Sequence, residues 1–122
     1  MSYTILVLDD DTHVRESMAI ALEDEGLTVY QAESAEVAFR VLDTVQIDLA
    51  IVDLRLPGMD GTEFIDAAIK LWPKLKYIVY TGSPEYQMTS EQGAALNVSN
   101  TIFLKPLMDS KSIIDEIRRM LG

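Results

Sequence analysis

Five residues that could do chemistry stand at the ends of short apolar runs: Asp9, Asp10, Asp53, Thr81 and Lys105. Uninterrupted aliphatic or aromatic runs of this length are typical of strands that are buried on both faces. The runs before these residues are Ile5–Leu8, Leu49–Val52, Tyr77–Tyr80 and Ile102–Leu104. The carboxyl ends of parallel strands lie along one edge of a sheet, so three carboxylates, a hydroxyl and an ammonium are predicted to meet there.

Such a cluster needs positive charge. Two unit charges ~4 Å apart repel by about 4 kcal/mol at an effective dielectric constant of about 20. Lys105 supplies one positive charge, and a divalent ion would supply two more. Oxygen ligands and the absence of cysteine favour Mg²⁺ or Mn²⁺. The set suits phosphoryl transfer, with Asp53 as the nucleophile that becomes an aspartyl phosphate. Asp9 and Asp10 would then hold the metal, and Lys105 and Thr81 would contact the phosphoryl oxygens.

Each of these residues has an ordinary explanation when it is taken alone. Asp53 could simply start a loop, and Asp9–Asp11 could complement the dipole of a helix N-terminus. Thr81 is a common turn residue, and Lys105 before a proline is equally ordinary. Their joint occurrence at the ends of separate strands favours a site. His13 stands in the first turn of a predicted helix, where we expect it to be exposed and incidental.

The elements that must position these residues alternate between strands and helices. Helices are predicted from apolar residues at helical spacing. They contain Val14, Met18 and Leu22 before Gly26, Val37–Leu42 after the N-cap Ser34, Phe64–Trp72 before Pro73, the more polar Glu85–Asn97, and Ile113–Leu121. Thr28–Tyr30 is a weaker strand near an edge. This alternation predicts βαβ units in an α/β protein, with a parallel sheet and helices on both of its faces.

Composition and charge narrow the class of protein. At 122 residues the chain fits one domain, and it has no cysteine for disulfides, thiolate metal sites or a cysteine nucleophile. The formal net charge of −10 argues against non-specific binding to nucleic acids or anionic membranes. The N-terminus lacks the pattern of a signal peptide, and no apolar stretch is long enough to span a membrane. We therefore expect a soluble, cytoplasmic protein whose residues 1–122 form one domain.

Four motifs occur along the chain in a fixed order. They are Leu6–Asp11 with its consecutive aspartates, Ile51–Gly61 with Asp53 and a Pro-Gly-Met-Asp-Gly end, Tyr80–Gly82, and Leu104–Pro106. Together they closely resemble the receiver domains of bacterial two-component response regulators, over essentially the whole chain. The resemblance implies a flavodoxin-like (βα)₅ three-layer sandwich. Its five-stranded parallel sheet would have the order 2-1-3-4-5.

The resemblance implies a role for each residue of the predicted cluster. Asp53 would accept a phosphoryl group from the histidine of a sensor kinase or phosphotransfer protein. Mg²⁺ would be bound by Asp10, Asp53 and the main-chain carbonyl of Arg55, with Asp9 acting largely through water. Such a domain assists its own phosphorylation and dephosphorylation and is not an enzyme in the ordinary sense.

The resemblance also implies a switch that reports phosphorylation to a partner. Thr81 and Lys105 would sense the phosphoryl group and bias a surface formed by the fourth helix, the fifth strand and the fifth helix. That surface would contact an effector or output domain, and receivers often form homodimers through it. A cis peptide bond between Lys105 and Pro106 is implied as well.

The fifth strand departs from the family pattern. An aromatic switch residue usually stands three positions before the lysine, but Ile102 stands there and Phe103 follows it. Side chains of a strand alternate between faces, so we expect Phe103 to point the other way unless a bulge intervenes. The segment from Thr81 to Lys105 is also about two residues longer than usual, and Gly93-Ala94 lies earlier than its family counterpart.

Three other functions fit parts of the pattern. A phosphohydrolase of the haloacid dehalogenase type also uses a strand-end aspartate with Mg²⁺, but it needs an acid where Arg55 stands. A flavin-binding flavodoxin needs a phosphate-binding loop after the first strand, where Asp9–Asp11 would repel phosphate. A receiver fold whose interactions do not depend on phosphate is supported by Ile102.

Overall fold

Strands and helices alternate from the first strand to the fourth as predicted, in a computed structural model that describes residues 3–82, 97–105 and 110–122. The strands are β1 (Thr4–Leu8), β2 (Thr28–Ala32), β3 (Leu49–Val52), β4 (Lys76–Thr81) and β5 (Val98–Leu104). The helices are α1 (Thr12–Asp24), α2 (Ala35–Thr44), α3 (Gly61–Leu71) and a C-terminal helix (Lys111–Leu121). None of these described helices is long and apolar enough to cross a membrane. The predicted helix Glu85–Asn97 and the Lys105–Pro106 peptide bond involve residues outside the described ranges.

The five strands form one parallel sheet in the order β2-β1-β3-β4-β5. This order confirms the predicted flavodoxin-like class. The strand order reverses between β1 and β3, because β1 pairs with β2 on one side and with β3 on the other. In open α/β sheets, ligands bind beyond the carboxyl ends of the strands at this switch point. Asp9 and Asp53 are the residues that directly follow β1 and β3.

The residues of β1 alternate between two hydrophobic cores. Leu6 and Leu8 pack in the core on the side of α2 and α3, whereas Ile5 and Val7 pack in the core on the side of α1 and the C-terminal helix. All of β3 is buried as well, so both central strands are covered on both faces. Each fully buried aliphatic side chain contributes about 1.5–3 kcal/mol. This burial fixes the strand ends from which the acidic residues project.

Side-chain caps fix the starts of three helices. Asp11 caps α1 and Ser34 caps α2, and each accepts a hydrogen bond from a backbone N–H of the first turn, at 3.1 and 3.3 Å. At the start of α3, Asp60 accepts from the Glu63 N–H at 2.9 Å, and Glu63 accepts from the Asp60 N–H at 3.2 Å. A cap of this kind stabilises a helix by about 1 kcal/mol. The predicted cap at Ser34 is confirmed, and the caps of α1 and α3 anchor the loops that follow β1 and β3.

A bulge in β5 changes how this strand pairs with β4. Tyr77 pairs with Val98 and Val79 pairs with Ile102. The two pairs are therefore two residues apart in β4 and four residues apart in β5. The bulge therefore places two more residues in β5 than in the part of β4 that it pairs with. It comes before Ile102, so it does not exchange the faces of Ile102 and Phe103. Phe103 lies in the core beside the C-terminal helix and is 8% exposed, whereas Ile102 is 40% exposed.

Hydrogen bonds tie the bulge to the C-terminal helix. Buried Ser99 accepts a hydrogen bond from the Thr101 N–H at 3.1 Å and donates its hydroxyl to the Glu116 carboxylate. The Arg119 guanidinium donates to both oxygens of Glu116 at 2.7 Å. These bonds, that from Arg119 above all, lower the pKa of Glu116 although partial burial acts in the opposite direction. The bulge is thus held by tertiary contacts with a charged group.

Candidate functional site

The ends of β1, β3, β4 and β5 bring the predicted residues together. Lys105 Nζ lies 2.5 Å from Asp9 Oδ2 and 2.9 Å from Asp53 Oδ2. Thr81 donates its hydroxyl to Asp53 Oδ1 at 2.9 Å. Carboxylate oxygens of Asp9, Asp10 and Asp53 all lie within 4.8 Å of one another. The predicted meeting of three carboxylates, a hydroxyl and an ammonium at one edge of the sheet is therefore observed.

Asp53 is the most fully engaged of the three acids. Its backbone N–H donates to the carbonyl of Leu8 at 3.0 Å, which continues the pairing of β3 with β1. Its Oδ1 accepts from the Arg55 N–H at 3.1 Å as well as from Thr81, and its Oδ2 accepts from Lys105. The residue is only 6% exposed. Burial of a carboxylate is tolerated when it is paired and hydrogen-bonded in this way, so these partners hold Asp53 in one orientation.

Asp9 is equally buried and shares the same ammonium. Its Oδ1 accepts a hydrogen bond from the Asp11 N–H at 2.9 Å, and its Oδ2 faces Lys105. Burial raises the pKa of Asp9, and the hydrogen bonds from Lys105 and from the Asp11 backbone offset part of that rise. Asp10, in contrast, is exposed. Buried Asp9 and Asp53 and exposed Asp10 thus present carboxylate oxygens to the same small region.

Lys105 joins the ends of β1 and β3. Burial alone would lower the pKa of its ammonium, but the hydrogen bonds to Asp53 and Asp9, together with their negative charges, raise it above its usual value. The ammonium therefore stays protonated at physiological pH. It also lies 5.5 Å from the centre of the Tyr80 ring, a distance at which a cation is attracted to the ring face.

An open cavity of about 460 Å³ gives access to this cluster. Its lining residues are Asp10, Asp11, Asp53, Arg55, Leu56, Pro57, Gly82 and Lys105. Carboxylates and an ammonium line it, and it opens beyond the ends of the strands, so it suits a small charged group better than an apolar ligand.

The three acids fit a hard divalent cation. Asp9, Asp10 and Asp53 each offer an oxygen within the reach of one shared ion. Carboxylate oxygens are the ligands that Mg²⁺ and Mn²⁺ prefer, and the chain has no cysteine that could favour a softer metal. Repulsion among the carboxylates, which Lys105 relieves only in part, would be relieved further by such an ion.

Three of the residues singled out in the sequence lie outside this cluster. Ile102 is exposed on β5, and Phe103 is buried in the core beside the C-terminal helix. His13 is exposed near the start of α1, as expected. The structure thus places Thr81 in the site and separates it from the two other predicted switch residues.

Two residues beside the carboxylates were not predicted from the sequence. Arg15 donates a hydrogen bond from its guanidinium to the main-chain oxygen of Asp9 at 2.9 Å. Gly61 lies so close to the end of β3 that an added Cβ would be 2.3 Å from the main-chain oxygen of Asp53. The signal for Gly61 is its place at the end of the Pro-Gly-Met-Asp-Gly motif, which does not by itself show the close contact with β3. For Arg15 the signal is weaker, since arginine is common in helices.

Residues 5–118 match the response regulator receiver domain family. The transcriptional regulatory protein FixJ of Azorhizobium caulinodans is 31% identical over 121 residues, which are 99% of this chain and 56% of that protein. The KDP operon transcriptional regulatory protein KdpE of Escherichia coli is 32% identical over 100 residues, which are 82% of this chain and 43% of that protein. The chain thus spans about half the length of these two relatives.

Solved structures agree with this match. A CheY-like receiver domain protein from Methanospirillum hungatei superposes with a TM-score of 0.85 at 32% identity, covering 99% of this chain and 94% of that one. The response regulator TrrA from Thermotoga maritima, solved in complex with Mg²⁺-BeF, has a TM-score of 0.83 at 25% identity, with 98% and 99% coverage. The chain therefore belongs to the response regulator receiver domain family, whose members are phosphoacceptor modules of two-component signalling.

Proposed function

We propose that Asp53 accepts a phosphoryl group from the histidine of a sensor kinase or phosphotransfer protein, and that the chain acts as a phosphorylation-controlled switch. The observation that supports this best is the set of partners around one buried carboxylate. Asp53 is oriented by Thr81, by the Arg55 N–H and by Lys105, beside two further acids and an open polar cavity.

The transfer exchanges one bond for another. A carboxylate oxygen of Asp53 attacks phosphorus, the P–O bond forms, and the P–N bond to the donor imidazole breaks with its electron pair left on nitrogen. Lys105 and Thr81 already donate hydrogen bonds to Asp53, so both can donate to the oxygens of the incoming phosphoryl group. Preorganised donors of this kind stabilise charge that develops during transfer.

The acids would hold the metal that this chemistry needs. Asp10, Asp53 and the main-chain carbonyl of Arg55 are the proposed ligands, and Asp9 would contribute largely through water. A bound Mg²⁺, or Mn²⁺ in its place, neutralises negative charge on the phosphoryl oxygens. The clustered oxygens support this assignment, as does the Mg²⁺-BeF complex of the similar protein TrrA.

The switch would act through the ends of β4 and β5. The Lys105 N–H donates to the Thr81 carbonyl at 3.0 Å, so the two proposed sensing residues also pair these strands. New contacts of Thr81 and Lys105 with a phosphoryl group would therefore bias β5 and the helices beside it. With Ile102 in the usual aromatic position and Phe103 buried, that bias would not depend on an exposed aromatic ring.

The binding partners, the cellular location and the domain boundaries are part of the same proposal. A sensor histidine kinase or phosphotransfer protein would be the donor, and an effector or output domain would read the surface that includes β5 and the C-terminal helix. A homodimer could form through that surface. The protein would work in the cytoplasm, with residues 1–122 as one receiver domain. The module would assist its own phosphorylation and dephosphorylation and would not turn over a separate substrate.

Acetyl phosphate and Mg²⁺ test the chemistry directly. Wild-type protein should gain the mass of one phosphoryl group, and Asp53→Asn should gain none. Asp43→Asn makes the same change of side chain at an exposed position on α2, so it should behave as wild type. Phosphorylation of Asp53→Asn at the wild-type rate would show that another residue is the nucleophile. Multiple turnover of a phosphate ester would instead indicate a phosphohydrolase.

A further inference from the structure

Arg15 connects the loop after β1 to the neighbouring strand. It lies on α1 and is partly buried. Its Nη1 donates to the main-chain oxygen of Asp9 at 2.9 Å, and its Nε donates to Oε1 of Gln31, on β2, at 3.2 Å. The planar guanidinium can make both bonds at once, in a geometry that lysine cannot reproduce. The side chain therefore links three segments of the chain with two hydrogen bonds.

The acidic loop is held at both of its ends, and the Arg15 side chain holds the end at Asp9. The backbone N–H of Arg15 donates to the carbonyl of Asp11 at 2.9 Å, while its guanidinium holds the carbonyl of Asp9. On the other side, the Asp9 N–H donates to the carbonyl of Ala32 at 3.1 Å. The peptide groups on both sides of the Asp9 side chain are thus fixed. A rotation of either would swing the carboxylates of Asp9 and Asp10.

We propose that Arg15 is a positioning residue for the phosphoryl-transfer site. It fixes the loop Asp9–Asp11 and thereby directs the Asp9 and Asp10 carboxylates toward the ion they would share with Asp53. This inference rests on the proposed function, because it assumes that those carboxylates bind a divalent cation. Groups that orient metal ligands typically change metal affinity by about 10–100-fold when they are removed.

Charge and position predict opposite results for this residue. The guanidinium is a positive charge close to a proposed cation site, so its charge alone would weaken binding of Mg²⁺. If Arg15 acted only through charge, Arg15→Gln would bind Mg²⁺ more tightly than wild type. If it positions the loop, the same substitution weakens binding although it removes a repulsive charge. The direction of the change in affinity therefore separates the two roles.

The experiment is a calorimetric titration of the full chain with MgCl₂. Arg15→Gln should weaken Mg²⁺ binding about tenfold or more. Arg15→Lys keeps the charge but cannot make both hydrogen bonds of the guanidinium, so it should also weaken Mg²⁺ binding. Gln31→Thr removes the second hydrogen-bond partner of the guanidinium without changing charge, and it should weaken Mg²⁺ binding by less than about tenfold. Arg118→Gln is the matched control, because this exposed arginine lies on the C-terminal helix with its Nη2 3.9 Å from Glu25. It should bind Mg²⁺ as wild type does.

A second measurement is independent of the ion. The backbone amide resonances of Asp9, Asp10 and Asp11 in metal-free protein should shift in Arg15→Lys and should stay unchanged in Arg118→Gln. Wild-type or tighter Mg²⁺ binding by Arg15→Gln would overturn the positioning role. If Arg15→Gln does not fold, wild-type affinity in Arg15→Lys would overturn it. A wild-type protein that neither binds Mg²⁺ nor gains phosphate would instead refute the proposed function on which the inference rests.

Discussion

Gly61 begins α3 and touches the backbone that carries Asp53. A Cβ added at this position would lie 2.3 Å from the Asp53 oxygen, 2.6 Å from Leu54 Cα and 2.9 Å from the Asp53 carbonyl carbon. The Gly61 N–H also donates to the Leu54 carbonyl at 2.8 Å, which holds the two segments together. All three contacts are with main-chain atoms, so no flexible side chain can move away. The constraint is one of space, since Gly61 does not have a positive φ.

The substitution Gly61→Ala should therefore destabilise the protein and disturb its site. Real Cβ atoms essentially never approach another atom more closely than 3.0 Å, so α3 and the end of β3 must separate by about 0.7 Å. Forced overpacking of this kind costs about 1–3 kcal/mol. A misplacement of about 1 Å at a reacting group can cost about 100-fold in rate. We expect Asp53 to be phosphorylated about 10–100-fold more slowly in this variant.

Urea unfolding and a phosphorylation time course with acetyl phosphate measure the two effects. Gly82→Ala is the stability control, because among the described residues its Cβ would meet only Lys105 side-chain carbons, at 3.7 and 3.8 Å. Gly58→Ala isolates conformational strain, because Gly58 has a φ of +74° and an added Cβ would have no atom of the described part of the chain within 4 Å. Within a helix, alanine is otherwise favoured over glycine by about 1 kcal/mol. A more stable Gly61→Ala variant with wild-type phosphorylation would therefore refute the steric argument.

Three further predictions concern the core and β5, and urea denaturation measures each of them. Tyr77→Phe should raise the free energy of unfolding by about 1 kcal/mol, because the buried Tyr77 hydroxyl has no hydrogen-bond partner among the described residues; a loss of stability would contradict this. Glu116→Gln should lower the free energy of unfolding by about 1 kcal/mol or less at neutral pH, because it removes the charged acceptor of the Arg119 guanidinium and weakens the bond from Ser99. That cost should fade as the pH drops below 4.5, because a carboxyl with a lowered pKa stabilises the fold above its ordinary pKa and ceases to do so once protonated. Phe103→Ala should lower the free energy of unfolding by about 3–5 kcal/mol, because Phe103 is buried, and Ile102→Ala should lower it by about 1 kcal/mol or less, because Ile102 is exposed. Equal losses of stability would contradict the register of β5.

The order of elements and the site could be predicted because each depends on local signals. The apolar run before Asp53 predicts a strand covered on both faces, and all of β3 is buried. Once parallel strands are inferred, the geometry of the sheet brings their ends together without further information. Asp9, Asp53 and Lys105 therefore meet as predicted, with the Lys105 ammonium 2.5 Å from Asp9 and 2.9 Å from Asp53.

The start of β5 could not be predicted in the same way. The sequence predicts a strand at Ile102–Leu104, but the strand begins at Val98 and contains the bulge. The three residues between Val98 and Ile102 are all polar, so they do not show a strand's alternation of apolar and polar side chains. Buried Ser99 is accommodated because Glu116, from the C-terminal helix, accepts its hydroxyl hydrogen. A tertiary hydrogen bond of this kind leaves no trace in the local pattern from which strands are predicted.

The supports of the site escaped prediction for a related reason. Arg15 and Gly61 both act on main-chain atoms of the acidic strand ends, Arg15 by donating to the Asp9 carbonyl and Gly61 by allowing close approach to the Asp53 carbonyl. Each belongs to the helix that follows the strand it supports. The groups that do chemistry are recognisable by residue type, whereas the groups that hold them act through distance and direction. Lys105 then joins the two supported loops through its contacts with Asp9 and Asp53, so a displacement of either loop reaches the other carboxylate.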